Sequence, residues 1–421
     1  MSSLNGHSRH FQNIAILGGG PAASTLAILL RRAGRGVVMF HRPKQTALTV
    51  GESLVPAIVT MLRRLGVEEE VRAFSLLKPG ATFNITPEDQ FAFWFERLPK
   101  KTPHYSYNTP RDRFDETILK AARKAGAHVV EAPAQVERVG NTDRVRLTGD
   151  SLAAWKQHFS GEPDLIVDAT GRARVIPNLV GIPSRTGPRK DTALFAHVDK
   201  AKLDYEGHVH TTRMAHGWSW QIPLPGRVSV GLVVGTEFLA PFGATKEERY
   251  DNWLKQEPML QRVTGQSKRI TPVMEYTNYQ LVSDRMVGDG WVLVGDTAGF
   301  VDPVFSSGLL IGMYSAMELC GAIESGTARA FANYEREVKH QLTTWQEIVD
   351  YFYNGRLFTF FRAGERLKHN IFIKLTRPHL VANLGGIFSG AASTSAYSTG
   401  LLRFLMKHAL RNEDPAELAV R

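Results

Sequence analysis

A short apolar run, Ile14-Ala15-Ile16-Leu17, leads straight into Gly18-Gly19-Gly20-Pro21-Ala22-Ala23-Ser24 and then into the helical stretch Thr25 to Arg32. Strand, glycine turn and helix in that order give the start of the chain a βα unit of the kind that holds a dinucleotide, a pattern that an ordinary glycine turn alone also produces. Each small residue has a task. Gly18 allows the tight turn, Gly20 lets a pyrophosphate approach the backbone, and Ala23 lets the helix pack against the strand. The helix start, with Ala22, Ala23 and Ser24, turns unpaired N–H groups toward the phosphates.

The next apolar strand, Gly36-Val37-Val38-Met39-Phe40, ends on His41 and Arg42, where an acidic residue would ordinarily grip the adenosine ribose. The departure implies a weaker ribose grip, or an Arg42 that faces the phosphates. Leu165-Ile166-Val167-Asp168 is a third strand, running into the Ala169-Thr170-Gly171 turn. Much later Gly290 to Val294 repeats the pattern and enters Gly295-Asp296-Thr297-Ala298-Gly299-Phe300-Val301-Asp302-Pro303. An aspartate at such a turn serves as a helix N-cap, or hydrogen-bonds a ribityl hydroxyl. Two turns of this kind in one chain favour a flavin, with Asp296, Gly299 and Pro303 beside it.

Trp218-Ser219-Trp220-Gln221-Ile222-Pro223 reads as an extended segment. Residues two apart on a strand share a face, so Trp218 and Trp220 form one aromatic wall, continued by Ile222 and Pro223. Paired indoles on a sheet commonly do no more than pack. They bear on function only if a flavin site surrounds them.

Taken in order, these motifs resemble those of the flavin-dependent halogenases, phenol and pyrrole branch, within the FAD-dependent monooxygenases. Gly18 to Ala23 resembles the dinucleotide turn, and Val50-Gly51-Glu52-Ser53-Leu54-Val55-Pro56 resembles the Gly-Glu-Ser segment, which implies a cofactor role for Ser53. Lys78-Pro79-Gly80-Ala81-Thr82-Phe83 resembles the segment with the active-site lysine. Arg111-Asp112-Arg113-Phe114-Asp115 resembles a helix start shared across these flavoproteins, and Arg113 is assigned to the cofactor there. The double-tryptophan motif and the run from Gly295 to Gly308 complete the set. The lysine and the tryptophans separate halogenases from hydroxylases.

The resemblance implies that reduced FAD, oxygen and chloride or bromide generate hypohalous acid, a diffusible oxidant that must be held. A lysine away from the flavin can hydrogen-bond it or become a chloramine, and a buried lysine of lowered pKa does either better than a solvated one. Lys78 is that candidate; read alone, it is a surface lysine before a turn. Ser306-Ser307-Gly308 offers consecutive amides that suit a halide, and equally reads as an ordinary helix start. Halogenases of free tryptophan carry a glutamate where this chain has Phe305, which points to a phenolic or pyrrolic ring instead. His104, Tyr105, His197, His208, His210 and His216 are unranked candidates for its base. No second nucleotide turn is visible for a nicotinamide, so a separate flavin reductase is the expected partner. Two other readings share the flavin motifs: an aromatic hydroxylase or epoxidase, and a non-catalytic flavin-binding redox protein.

Composition agrees with a globular enzyme of 421 residues, 43% hydrophobic and 22% charged. No apolar run nears the ~20 residues that span a bilayer, and Met1 to Gln12 lacks a signal core, so a cytoplasmic protein is expected. One cysteine, Cys320, leaves no disulfide and no metal cluster to expect. The net charge of +10 is scattered in short groups, which argues against nucleic acid. It suits an anionic cofactor, a carboxylate substrate, or an acidic carrier protein bearing the substrate. Composition does not choose among them, nor between monomer and dimer.

The expected architecture is α/β. A Rossmann-like FAD domain of the p-hydroxybenzoate-hydroxylase type is assembled from residues 10–75, 110–180 and 270–330. An antiparallel sheet from 76–109 and 181–269 is inserted for the substrate, and 331–421 is helical. Within that last region the small-residue run from Gly385 to Gly400 reads as a mobile loop or lid.

Overall fold

The structure, a computed structural model, describes residues 9–43, 48–187, 189–277, 280–366, 371–408, 410 and 414–420. The opening apolar run is the strand Asn13–Leu17, its last four residues buried. A strand apolar on both faces belongs inside a parallel sheet. It lies between Gly36–Phe40 and Leu165–Asp168, parallel to both, with His128–Val130 and Trp291–Leu293 flanking them and Val287–Gly288 antiparallel at the edge. The turn after the first strand requires glycine for two reasons. Gly18 has φ +123°, and a β-carbon there would sit 2.3 Å from the carbonyl oxygen of Ala169. The helix Pro21–Arg32 then starts with proline in its first turn and no side-chain cap.

The inserted sheet has seven strands, in the order Met274–Thr277, Asp191–Val198, Arg227–Gly235, Trp218–Leu224, Val209–Arg213, Gly80–Asn84 and Gln90–Trp94. The strands between 191 and 235 are antiparallel neighbours in this sheet, and Gly80–Asn84 and Gln90–Trp94 form a hairpin around Pro87-Glu88-Asp89. One pair departs from the antiparallel pattern: Val209–Arg213 runs parallel to Gly80–Asn84. Parallel neighbours need a long crossover, and here the chain between them builds much of the cofactor half.

The carboxy-terminal region is helical, as expected: Ala328–Tyr353, Arg356–Arg366, Ile371–Leu380 and Ala396–His408 are its longer helices. Trp345 and Phe352 are buried in the common core. The run Gly385 to Gly400 is a loop only in part, at residues 389–395, which form turns between helical segments. A π-helical turn, Val381–Gly385, ends on the run's first residue, and the run holds a short helix at Gly386–Phe388 and the start of the Ala396–His408 helix. Gly385 and Gly390 mark close packing, whereas Gly400 faces open space. A β-carbon on Gly385 would lie 2.9 Å from the Phe93 ring, and one on Gly390 2.5 Å from Leu310. Among the described residues no helix is long and apolar enough to cross a membrane.

Candidate active site

The strand ends of the parallel sheet converge on a cavity of about 790 Å³, lined by Gly18, Gly20, Ala22, Ala23, His41, Arg42, Ser53, Asp296 and Pro303 among others. That volume falls within the ~300–1,000 Å³ range of small-molecule and cofactor sites. Its place at the carboxyl ends of parallel strands is where nucleotide cofactors bind. Three local features fit an FAD. A β-carbon on Gly20 would meet nothing within 4 Å, so the backbone there faces open space. The helix behind it is uncapped. Gly295 has φ +66°, and a β-carbon on it would lie 2.9 Å from Ala22, so the two glycine turns meet edge to edge.

Several residues assigned to the cofactor stand elsewhere, each for a local reason. Arg113 does not line the cavity; its guanidinium lies 4.4 Å over the Phe74 ring. Arg111 lines it instead, donating to Asp115 at 2.9 Å and to the carbonyl of Val50. Residues 111 and 115 share a helix face, while 113 points away. Gly51, at φ +96°, leaves room for this arginine, since a β-carbon there would be 2.7 Å from Arg111 Nη1. Ser24 is buried and donates to the Gly19 carbonyl at 3.2 Å, bracing the turn. Gly299 packs against Leu342, 2.7 Å from the site of a β-carbon.

The wall is formed by Trp218, Trp220 and Ile222, which line the cavity. Pro223 falls on the opposite strand face by the alternation of two. The indole centroids are 5.8 Å apart. Gly231 on the neighbouring strand makes room for Trp220, whose ring would be 2.1 Å from a β-carbon.

A second cavity, about 220 Å³, opens beyond the first. Phe83, Phe91, Phe93, Phe95, Phe305, Phe360, Phe361 and Phe388 line it, together with Lys78. Val209, Thr211, Val304 and Ser306 line both cavities, so the two meet at these residues. Lys78 is 2% exposed, and its ammonium donates to Ser53 Oγ and to the Leu54 carbonyl, both at 2.8 Å. Burial with no carboxylate partner lowers its pKa from 10.5 to about 7.

At the meeting point Ser306 adopts the left-handed conformation, φ +56°, rare outside glycine. Its amide donates to the Pro303 carbonyl at 3.1 Å and is not free for an anion. Ser306 and Gly308 line the first cavity while Ser307 is buried behind them. The helix Ser307–Ser325 begins there without a side-chain cap. The first amides of such a helix, beginning with Ser307 and Gly308, lack partners within the helix.

None of the six candidate bases lines either cavity. His197 pairs with Glu52 at 3.0 Å, both buried. His208 lies 2.9 Å from Thr82 Oγ1, and burial lowers it and His210 to about 4. Tyr105 donates to Glu68 at 2.6 Å, His216 stacks on Phe238 and His104 is exposed. The sequence reading missed Arg111, Thr211 and Tyr276 at the cavities. The i, i+4 pairing of Arg111 with Asp115 was a signal for the first.

The sequence profile of the family described as tryptophan halogenase matches residues 13–98 and 95–369. Tryptophan 2-halogenase of Chondromyces crocatus is 29% identical over 380 residues, covering 85% of this chain and 71% of its own. The 1H-pyrrole-2-carbonyl-(peptidyl-carrier protein) chlorinase of Pseudomonas fluorescens is 28% identical over 404 residues, 86% of this chain and 88% of its own. Among solved structures, the myxobacterial chondrochloren halogenase CndH superposes with a TM-score of 0.72 at 26% identity, covering 82% of this chain and 83% of its own. The flavin-dependent brominase Bmp2 shares the fold, with a TM-score of 0.76 at 20% identity over 96% of this chain and all of its own. A family profile spanning most of the chain, around a cavity that fits FAD, places it plainly: the chain belongs to the tryptophan halogenase family and is a flavin-dependent halogenase, an enzyme that uses FAD, oxygen and a halide.

Proposed function

We propose that this enzyme halogenates an electron-rich phenolic or pyrrolic ring held in the phenylalanine-lined cavity, with Lys78 receiving the oxidant. One observation carries the reading: a buried lysine in a second cavity that meets the flavin cavity only at a few shared residues. In this assignment segments 10–75, 110–180 and 270–330 hold the cofactor, except that the strand Met274–Thr277 goes with the inserted sheet, which with the terminal helices holds the substrate. When bound, reduced FAD with oxygen supplies the oxidation of halide to hypohalous acid.

The protein's own groups do the rest. The amides of Ser307 and Gly308 hold the halide, and Trp218, Trp220 and Ile222 keep the ring away from the flavin. Val304 and Thr211 flank the passage. Lys78 as ammonium donates a proton to the hypohalous oxygen while the halogen bonds to the ring carbon; the hydroxyl leaves as water. The ring then gives up its proton to the amine, so the balance is ring C–H plus hypohalous acid to ring C–X plus water. A pKa of about 7 serves both directions of that transfer. Phe305 stands 6.4 Å from Phe83, centroid to centroid, and adds packing surface where a carboxylate would assist a poorer ring.

Reduced FAD comes from a separate reductase in this account, and the scattered positive charge suits an acidic carrier protein bearing the substrate. The test supplies chemically reduced FAD, oxygen and chloride or bromide with free and carrier-bound phenols and pyrroles. Halogen isotope patterns in the product mass are the expected result. A product that forms without halide and gains only oxygen would assign hydroxylation instead.

A further inference from the structure

Trp218, Tyr353 and Asp302 form a buried chain of hydrogen bonds that the chemistry above does not use. The Trp218 indole N–H donates to Tyr353 Oη at 2.9 Å, and the tyrosine hydroxyl donates to Asp302 Oδ2 at 3.1 Å. Asp302 Oδ1 accepts the amide of Val304 at 2.9 Å. Gln280 Nε2 approaches Oδ2 at 3.4 Å, and the Arg189 guanidinium, held by Asp191 at 2.7 Å, covers the Tyr353 ring at 3.8 Å. Asp302 is fully buried and Trp218 and Tyr353 nearly so.

Such an arrangement is expensive. Burial, aided by the charge of Asp191, pushes the Asp302 carboxyl up to about 7, whereas apolar side chains would fill the same space without that penalty. Its two ends indicate what it is for. Trp218 belongs to the wall of the cofactor cavity, and Val304 lines both cavities one turn before the anion-facing helix start. Tyr353 comes from the end of the Ala328–Tyr353 helix, so the chain crosses from the terminal helices to the cofactor half.

We propose that Tyr353 and Asp302 are positioning residues for halogenation, fixing the Trp218 indole against the Val304–Ser306 loop where the two cavities join. This rests on the function proposed above. Loss of the link loosens the wall and the loop together, so halide binds less well and oxidant escapes before reaching the substrate.

The test compares Tyr353→Phe, Asp302→Asn and Asp302→Leu with wild type, all loaded with FAD. Halide is titrated against the absorbance of the bound flavin, and halogenated product is counted per peroxide released. Tyr353→Phe keeps the ring under Arg189 and removes only the hydroxyl. It should bind FAD as wild type does, while the halide midpoint rises and product per peroxide falls by about fivefold or more, the scale expected from losing the two hydrogen bonds of that hydroxyl. Asp302→Asn retains an oxygen acceptor and should recover part of this loss; Asp302→Leu should not. Unchanged halide midpoint and coupling in Tyr353→Phe would overturn the proposal. So would a loss of FAD affinity as large as the loss in halide affinity, which marks a general packing role. A wild-type enzyme that binds halide but makes no halogenated ring counts against the proposed substrate reading alone, because the halide titration still reports on the link.

Discussion

Lys78 donates to Ser53 Oγ at 2.8 Å, and this contact joins residues that line different cavities. Ser53 faces the cofactor side, Lys78 the phenylalanine side. The lysine is thereby anchored at the partition between the two chambers, with the Leu54 carbonyl as its second acceptor. Neither acceptor is charged, so burial alone sets its protonation.

That burial gives Lys78 a pH signature. The group changes from ammonium to amine at about 7 in the folded protein, against 10.5 for an ordinary lysine. Halogenation should therefore bend near pH 7, and Lys78→Arg, charged at every accessible pH, should lose both the bend and the activity. Stability follows the same shift. For a lowered lysine the contribution is whole above 10.5 and is lost as pH falls through about 7. In thermal melts Lys78→Met should gain on wild type as pH is lowered from about 10 toward 7 and hold that gain below. A constant gap between the two proteins across that range argues against a buried, neutralised lysine.

The wall depends on Gly231. A β-carbon there would lie 2.1 Å from the Trp220 ring, so Gly231→Val should displace the indole and cost about 1–3 kcal/mol in a denaturant melt. Trp220→Leu keeps an apolar strand but thins the partition. It should raise peroxide release per halogenated product and allow oxygen-only products to appear. Unchanged coupling in Trp220→Leu would remove the partition role.

The two arginines at the start of the Arg111–Lys124 helix make a direct comparison. Arg111 lines the cofactor cavity and Arg113 covers Phe74. Fluorescence titration of FAD should show roughly tenfold weaker binding for Arg111→Ala, the scale of a charge-assisted hydrogen bond, and little change for Arg113→Ala. The reverse order would restore the sequence assignment.

Why Arg113 was chosen over Arg111, while Trp218 was put on the cavity face, shows what a sequence carries. The period of two in a strand put Trp218, Trp220 and Ile222 on one face without further information, although the same rule should have removed Pro223. Gly18 was legible because a strand, a tight turn and a helix demand it, and the approach of Ala169 explains that demand. Arg111 and Arg113 lie two apart on a helix, where only the helix's orientation against the body selects the inward one. Ser306 looked like one of three equivalent amides, and its left-handed backbone, which turns the amide onto Pro303, leaves no mark in composition. The phenylalanine cavity draws on strands near residue 90 and helices near residue 360, a juxtaposition set by tertiary packing. Gly385 and Gly390 read as looseness because the bulky partners they accommodate, Phe93 and Leu310, are remote in the chain.

Lys78→Ala tests the central claim most directly. With chemically reduced FAD, oxygen, bromide and an accepted ring substrate, mass spectrometry should find no brominated product from the variant, while FAD binding and peroxide release stay at wild-type levels. Brominated product at the wild-type rate from Lys78→Ala would contradict the account.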